Sequence, residues 1–206
     1  PQGWACRPFC NQMRIIVFIS LLLFLPGCFI PTFYNVNELS ERGRYITNVP
    51  FFPQAVNYCG PSTMASILNY WGYNVSLEEV AGKVYTPKLN GAITVDMLNY
   101  AKEVGFYAAW SKGSINKLKE EIDNGHPLII YIDLGYPNFP PGHPIVFSGH
   151  YIVVVGYDDD KEGIIAYSGE DKDLFIPYNK LMKSWGKTGF WTLLILPKED
   201  NKPVSK

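Results

Sequence analysis

The spacing of hydrophobic residues predicts a helical first half and a strand-rich second half of the chain. From Cys59 onward, apolar side chains recur every three or four positions, which is the spacing of one helix face. The apolar positions on that face are Met64, Ile67, Leu68 and Trp71. Further helices are predicted after Ser76, Thr94 and Ser114, and the first of them begins with the capping-box sequence Ser-Leu-Glu-Glu.

The second half of the chain has the pattern of strands joined by turns. The predicted strands are Pro127–Ile132, His150–Tyr157, Ile164–Tyr167, Leu174–Ile176 and Phe190–Leu196, with a short helix over Asn179–Trp185. Residues 134–149 hold four Pro and three Gly, which predicts a long irregular loop of the kind that is usually functional. Helices followed by consecutive strands favour an α+β fold, with N-terminal helices packed on an antiparallel sheet.

The first thirty residues have a separate pattern. Ile15 to Leu25 is an apolar run that is interrupted only by Ser20 and preceded by Arg14. This run is too short to span a bilayer, which needs about 20 residues, but it fits the apolar region of a signal peptide. It ends in Leu-Pro-Gly-Cys28, which resembles a bacterial lipobox. The resemblance implies cleavage before Cys28 and acylation of that cysteine, and an ordinary signal peptide or anchor is the alternative.

These patterns divide the chain into five predicted segments. They are an upstream extension over 1–12, a signal peptide over 13–27, a tether over 28–48, the main domain over 49–198 and a polar tail over 199–206. An acylated Cys28 would hold the domain on a membrane outside the cytoplasm. The membrane would be the periplasmic side of the outer or inner membrane, or the outer face of a single membrane.

Composition and motifs exclude several kinds of function. The chain has 18 Lys and Arg against 19 Asp and Glu, so it lacks the basic excess of a nucleic-acid-binding protein. It contains no zinc-protease, paired-cysteine or phosphate-loop motif, so no metal and no organic cofactor is predicted. Asp158 to Gly163 resembles the start of a calcium loop. The twelfth position is Gly169 instead of Glu, however, which favours a polar turn.

Cys59 has the sequence surroundings of a reactive thiol. It lies where the extended segment 49–54 meets a predicted helix, whose N-terminus is expected to lower the pKa of the thiol. With the signal peptide removed and Cys28 acylated, Cys59 would be the one free thiol of an exported protein. The Gln54 amide and the Cys59 backbone N–H are candidate donors to an oxyanion. A small buried side chain without chemistry is the alternative for Cys59.

A cysteine nucleophile needs a base, and the chain has three histidines. His150 follows Gly149 at the start of the most apolar predicted strand, so its ring is expected at the sheet edge that faces the helix end. His143 lies in the predicted loop and His126 in a turn. His150 is the preferred candidate, and the other two remain alternatives.

Three sequence blocks together resemble the C39-like cysteine peptidases, which have a papain-like fold. The blocks are Val-Pro-Phe-Phe-Pro-Gln ending at Gln54, Tyr-Cys-Gly-Pro-Ser-Thr around Cys59, and Gly-His-Tyr-Ile-Val-Val-Val-Gly-Tyr beginning at Gly149. The resemblance covers about residues 49–196. It implies that Cys59 is the nucleophile, that His150 is the general base and acid, and that Gln54 is the oxyanion-hole donor.

The chain departs from the family pattern at the residue that orients the histidine. Family members usually place Asp or Asn on the next strand, where this chain has Ser168. A hydroxyl can accept the Nδ1–H of His150 and fix its tautomer, but it brings no charge to stabilise an imidazolium. Asp158 and Asp171 are alternative orienting residues, and an ordinary strand-end serine is the other interpretation of Ser168.

The sequence therefore predicts a thiol hydrolase that cleaves a peptide or amide bond outside the cytoplasm through Cys59 and His150. Its expected partners are a peptide or protein substrate and, through the lipid anchor, a membrane. Two alternatives stay open. One is a catalytically weakened C39-like lipoprotein that binds peptides, and the other is an acyl or amide transferase that uses the same Cys–His pair.

Overall fold

A computed structural model of the chain describes residues 32–54, 57–135 and 149–198. The predicted signal peptide, the acylation site at Cys28, His143 and the tail over 199–206 lie outside the described residues. All of the described residues belong to one compact unit. Within them, none of the helices combines the length and the apolar character that crossing a membrane requires.

The predicted helices are confirmed, with boundaries close to those expected. They are α1 (Cys59–Tyr70), α2 (Leu77–Val84), α3 (Thr94–Glu103), α4 (Ile115–Asp123) and α5 (Tyr178–Gly186). Ser76 and Glu79 form both hydrogen bonds of the capping box at the start of α2. Gly72 follows α1 with a φ of 84°, a left-handed conformation that ends the helix and that glycine adopts without strain.

The strands form one large antiparallel sheet and a small separate hairpin. They are β1 (Thr32–Phe33), β2 (Gly43–Tyr45), β3 (Tyr85–Thr86), β4 (Gly91–Ala92), β5 (Phe106–Lys112), β6 (Leu128–Asp133), β7 (Gly149–Asp158), β8 (Gly163–Ser168), β9 (Asp171–Pro177) and β10 (Trp191–Pro197). The large sheet has the order β1-β9-β8-β7-β6-β10-β5, and β2 pairs with β7 beside this path. Strands β3 and β4 form the hairpin. The predicted α+β class with helices on an antiparallel sheet is confirmed.

Strand β5 was not predicted, because its buried and exposed positions do not match an alternation of apolar and polar residues in the sequence. Phe106 and Ala108 are buried, whereas Tyr107 is 52% exposed and Trp110 is 61% exposed. The largest aromatic side chains thus face solvent on a strand that lies at the end of the sheet. The hydrophobicity of these residues therefore does not indicate which of their side chains are buried.

The predicted tether over 28–48 is wrong for its described part. Strand β1 pairs with β9 and strand β2 pairs with β7, while Tyr34, Ile46 and Val49 are buried in the core. Residues 32–48 therefore belong to the folded domain. Their apolar side chains are too sparse to show a period in the sequence, although most of them pack in or against the core.

The core lies between α1 and the central strands β6 and β7. The side chains of Met64, Ile67 and Leu68 are almost completely buried there, as the helical spacing predicted. Trp185 is also fully buried, and its indole N–H donates to the carbonyl of Trp191 at 3.0 Å. The packing of α1 on β7 brings the start of α1 to the start of β7.

Candidate active site

The start of α1 carries Cys59 close to the β3–β4 hairpin. A side chain at Gly60 would place its Cβ only 2.4 Å from the Cβ of Ala92, so glycine permits this close approach. Pro61 lies in the first helical turn, where a missing backbone N–H leaves no hydrogen bond unmade. The Cys-Gly-Pro sequence thus suits a helix that starts at its cysteine and packs closely against a hairpin.

The sulfur of Cys59 lies against the main chain of β7. Burial raises the pKa of its thiol, and hydrogen bonds from the backbone N–H groups of Tyr151, Gly60 and Cys59 offset only part of this increase. The sequence predicted a lowered pKa from the helix N-terminus, and this prediction is wrong. The physical reason is that withdrawal of the thiol from water outweighs the favourable backbone groups.

His150 is the residue next to Tyr151, and its ring lies against the side chain of Ser168. The Nε2 atom of His150 lies 3.0 Å from the hydroxyl oxygen of Ser168. The sequence predicted that the Ser168 hydroxyl pairs with Nδ1 of His150. In the structure the hydroxyl lies beside Nε2 instead, and the role of Ser168 as the orienting residue stays a prediction. Burial lowers the pKa of His150 to about 4. Within the described part of the chain, no hydrogen bond joins Cys59 to His150.

The position of Gln54 is fixed by the turn that follows Ser168. Its backbone N–H donates to the carbonyl oxygen of Gly169 at 3.0 Å. Ser168 ends β8, so this hydrogen bond ties the segment before Cys59 to the residue that holds His150. The structure thus brings Gln54, Ser168 and His150 into one region of the domain.

The alternative residues lie elsewhere or make other contacts. Asp158 ends β7, eight residues from His150, which corresponds to about 26 Å along a strand. It is buried and accepts hydrogen bonds from Tyr34 and Ser40, so its predicted role as an alternative orienting residue is wrong. Asp171 lies opposite Ser168 in the β8–β9 hairpin but has no hydrogen bond to His150.

His126, the other histidine among the described residues, is paired with a carboxylate. The Nδ1 atom of His126 lies 2.8 Å from an oxygen of Glu121, and its ring packs near Trp71. Among the described residues, no group of three metal-ligating side chains is close enough together to hold an ion. The polar turn over 158–163 forms as predicted, with Asp158 accepting hydrogen bonds from two backbone N–H groups of that turn.

Two tyrosines beside Cys59 were not recognised in the sequence. The ring centroids of Tyr131 and Tyr151 are 4.5 Å apart. The pKa of Tyr131 is raised, mainly by burial and secondly by electrostatic interaction with Cys59. A Cβ at Gly149 would lie 1.7 Å from the Tyr131 hydroxyl oxygen, so the glycine before His150 makes room for this ring. In the sequence, Gly149 and the alternation of side chains along the strand are the signals that could have placed Tyr131 near the site.

The fold agrees with comparisons against known proteins. Solved structures with a similar fold include a C39-like peptidase from Bacillus anthracis, with 18% identity, a TM-score of 0.60, and coverage of 76% of this chain and 98% of that one. A double glycine motif protease from an AMS/PCAT transporter, solved in complex with the leader peptide, has 24% identity, a TM-score of 0.57, and coverage of 78% and 98%. The peptidase domain of Streptococcus ComA, a bi-functional ABC transporter, has 21% identity, a TM-score of 0.55, and coverage of 73% and 100%.

Identities this low show the fold alone, which is that of the C39-like, papain-like cysteine peptidases. No curated protein matches the sequence. Membership is shown by the sequence model of the Peptidase_C39 like family, which matches residues 46–192 and therefore well over half of the chain. The chain belongs to the Peptidase_C39 like family.

Proposed function

We propose that the protein is a cysteine peptidase that hydrolyses a peptide or amide bond, with Cys59 as nucleophile and His150 as general base. The observation that carries this proposal is the pairing of His150 with Ser168. The residue after His150 is Tyr151, whose backbone N–H donates a hydrogen bond to the sulfur of Cys59. A nucleophile at a helix end, a neighbouring imidazole and a group that orients the imidazole are the parts that thiol hydrolysis needs.

The pair starts the reaction in its neutral form. Since the pKa of Cys59 is raised and that of His150 is lowered to about 4, both side chains are uncharged at pH 7. With the Nε2 proton donated to Ser168, Nδ1 keeps a lone pair and accepts the thiol proton as sulfur bonds to the substrate carbonyl carbon. The carbonyl π electrons move to oxygen, and the Gln54 amide and the Cys59 N–H stabilise this oxyanion.

The remaining steps return the enzyme to its starting state. The oxyanion collapses, the scissile C–N bond breaks, and the proton on His150 passes to the leaving amine. The acyl group is then a thioester on Cys59. His150 next removes a proton from water as the water attacks the thioester, and the departing sulfur takes that proton back to restore the thiol.

A weakened peptide-binding relative is the second candidate function, and Ser168 favours it. A hydroxyl orients the imidazole but supplies no negative charge to the imidazolium that forms during attack. Burial of His150 opposes that imidazolium as well. Both effects act in the same direction, so we expect turnover to be slow.

We further propose that the domain acts outside the cytoplasm, anchored through an acylated Cys28. The lipobox-like sequence before Cys28 supports this location. Since β1 begins at Thr32, the tether is limited to the residues that precede Thr32. Incorporation of radiolabelled palmitate into the expressed chain, and its loss in Cys28→Ser, tests the anchor.

Cleavage of a random peptide library by the full chain tests the proposed activity. Wild-type protein is expected to release new amino termini, and Cys59→Ser is expected to release none. An added primary amine appears in the products only if the acyl group is transferred, which separates a transferase from a hydrolase. Undiminished cleavage by Cys59→Ser would overturn the proposal, and retention of library peptides without cleavage by wild type would favour the binding relative.

A further inference from the structure

One end of the large sheet carries an exposed apolar patch. Strand β1 is the last strand at this end, next to β9. Phe33 on β1 is 61% exposed, and it is paired with Leu174 of β9, which is half-buried. Directly paired residues of an antiparallel sheet point to the same face, so the two side chains are neighbours. We refer to Phe33 and Leu174 as the edge patch.

The edge patch is held rigidly by the folded domain. Tyr34, the residue after Phe33, is buried in the core, and its backbone N–H donates to the carbonyl oxygen of Asp173 at 2.8 Å. The ring of Tyr34 also stacks on that of Phe175, with centroids 5.6 Å apart. Because both neighbours of the strand pairing are fixed in this way, Phe33 stays at the sheet edge and does not move with the residues before it.

A single exposed apolar side chain is common on protein surfaces, so the exposure of Phe33 alone would indicate nothing. Its place in the chain gives the exposure a meaning. Thr32, where β1 begins, follows the proposed acylation site Cys28 by four positions. Four residues span at most about 14 Å even when fully extended. The acyl chains of a lipid anchor enter the bilayer, so the main chain of β1 would lie within about 14 Å of the lipid headgroups.

We propose that the edge patch rests on the bilayer in which Cys28 is anchored, with Phe33 inserted at the level of the headgroups. The inference rests on the proposed anchor and goes beyond it, because an anchor alone does not determine which side of the domain faces the membrane. Insertion removes an aromatic ring from water, and phenylalanine and leucine are typical of the apolar faces of proteins that lie on membranes.

Docking at this edge would fix how far the candidate active site stands from the bilayer. Leu174 is paired with Ala166 of β8, and Ser168 ends that strand two residues later. Two strand spacings and two residues along a strand put the main chain of Ser168 about 12 Å from that of Phe33. The residue that pairs with His150 would therefore lie close to the membrane surface.

Spin labelling of the anchored protein tests this inference. The full chain with Phe33→Cys and Cys59→Ala is expressed, acylated, and reconstituted into vesicles of phosphatidylethanolamine and phosphatidylglycerol. A nitroxide is attached at position 33, and its accessibility to oxygen, which concentrates in lipid, is compared with that to a water-soluble nickel chelate. We expect the ratio of the two accessibilities to be several-fold higher in the vesicles than in detergent-free protein lacking the anchor through Cys28→Ser.

Trp110 provides a matched control position. It is also 61% exposed, but it lies on β5, the last strand at the opposite end of the sheet. The same label at Trp110→Cys in the Cys59→Ala chain is expected to be accessible to the nickel chelate with and without vesicles. Equal accessibility ratios at positions 33 and 110 in the vesicles would overturn the inference. Spin–spin broadening at position 33 without exposure to lipid would place a second copy of the chain on the edge patch and would overturn it as well.

Flotation of the vesicles separates this inference from the proposed anchor. Intact mass of the floated protein is expected to show an acylated Cys28 as the first residue. Floated, acylated protein with an aqueous label at position 33 would reject the docking and leave the anchor standing. Protein that is not acylated and does not float would reject the anchor, and the docking with it, whereas cleavage by Cys59 would be unaffected by either result.

Discussion

At the scale of single residues, the proposed mechanism depends most on His150. Burial lowers its pKa to about 4, and its Nε2 atom is paired with the hydroxyl of Ser168. At neutral pH the imidazole is therefore unprotonated and can accept a proton, although its low pKa makes it a weak base, and its protonated form gains no charge partner from Ser168. In the proposed mechanism, proton transfer from sulfur therefore accompanies attack on the carbonyl.

The effect of the missing charge is testable at Ser168. In Ser168→Asp a carboxylate would face the ring, and an opposite charge at this range raises a histidine pKa by about one to three units. We expect the pKa of His150 to rise from about 4, as measured by NMR titration of its ring protons. The acid limb of the activity profile is expected to move to higher pH with it.

Asp171→Asn is the matched control for this prediction. Asp171 is paired with Ser168 across the hairpin but makes no hydrogen bond to His150, so removing its charge is expected to leave the titration unchanged. A shift in Asp171→Asn together with none in Ser168→Asp would show that Asp171 is the orienting group.

The side chain of Gln54 is open to a direct test as an oxyanion donor. Gln54→Ala is expected to lower kcat about 10²- to 10³-fold with little change in KM, because the oxyanion exists only after attack. The hydrogen bond to Gly169 uses the main chain and survives the substitution, so the melting temperature is expected to hold. An unchanged kcat would remove Gln54 from the site.

The residue scale also shows what the sequence could and could not reveal. Motif spacing was enough to single out Cys59, His150 and Ser168, and the structure brings His150 and Ser168 together. The direction of the Cys59 pKa shift was predicted wrongly because burial depends on packing from distant segments. Tyr131 was missed because a tyrosine in an apolar strand looks like any core residue.

At the scale of elements, glycines decide how closely the site can be packed. Gly60 lets α1 begin under the β3–β4 hairpin, and Gly149 lets the Tyr131 ring lie over the start of β7. The four N-terminal helices were predictable because each has a helical period, and the central strands because each is a short apolar run rich in β-branched residues. Strand β5 was not, because its large side chains, Tyr107 and Trp110, point into solvent.

Gly149→Ala tests the packing at the start of β7. The added Cβ would overlap the Tyr131 hydroxyl oxygen at 1.7 Å, so we expect destabilisation of about 1–3 kcal/mol and reduced activity. Chemical denaturation measures the change. Gly82→Ala is the control, because its Cβ would meet nothing within 4 Å and alanine favours the helix that contains it. Equal stability of the two variants would contradict the packing account.

At the scale of the whole molecule, the segment before the helices is fastened to the far end of the sheet. Asp158 anchors it by accepting hydrogen bonds from Tyr34 and from the backbone and hydroxyl of Ser40. The sequence predicted a tether here because polar residues dominate the segment and its few apolar ones show no period. Pairing with β7 and β9 over long sequence separations is not a local property of the chain.

Asp158 gives this anchoring a defined pH dependence. Burial alone would raise its pKa, but hydrogen bonds from Ser40, Tyr34 and Lys161 lower it to about 2. The folded pKa is below the ordinary value of about 3.9, so the charged form stabilises the fold. This stabilisation is complete well above pH 4 and is lost as the pH falls from about 4 towards 2.

Asp158→Asn is therefore expected to lower the free energy of unfolding at pH 7 by about 1–3 kcal/mol. Urea denaturation between pH 2 and pH 7 measures this, and the difference from wild type is expected to shrink at the acid end. Asp160→Asn removes an exposed carboxylate paired with Arg42 and is expected to change stability by less than about 1 kcal/mol. A difference for Asp158→Asn that is constant with pH would contradict the anchoring role.

The central claim is that Cys59 attacks a carbonyl with His150 as its base. It is tested most directly by the pH profile of Cys59 acylation with p-nitrophenyl acetate in the full chain, read from the mass of the Cys59 peptide. The rate in wild type is expected to rise around pH 4, where His150 loses its proton, and then to stay level to neutral pH. His150→Ala is expected to lose this plateau and to react about 10²- to 10⁴-fold more slowly at pH 7. Absence of acylation at Cys59, or the same profile with and without His150, would contradict the account.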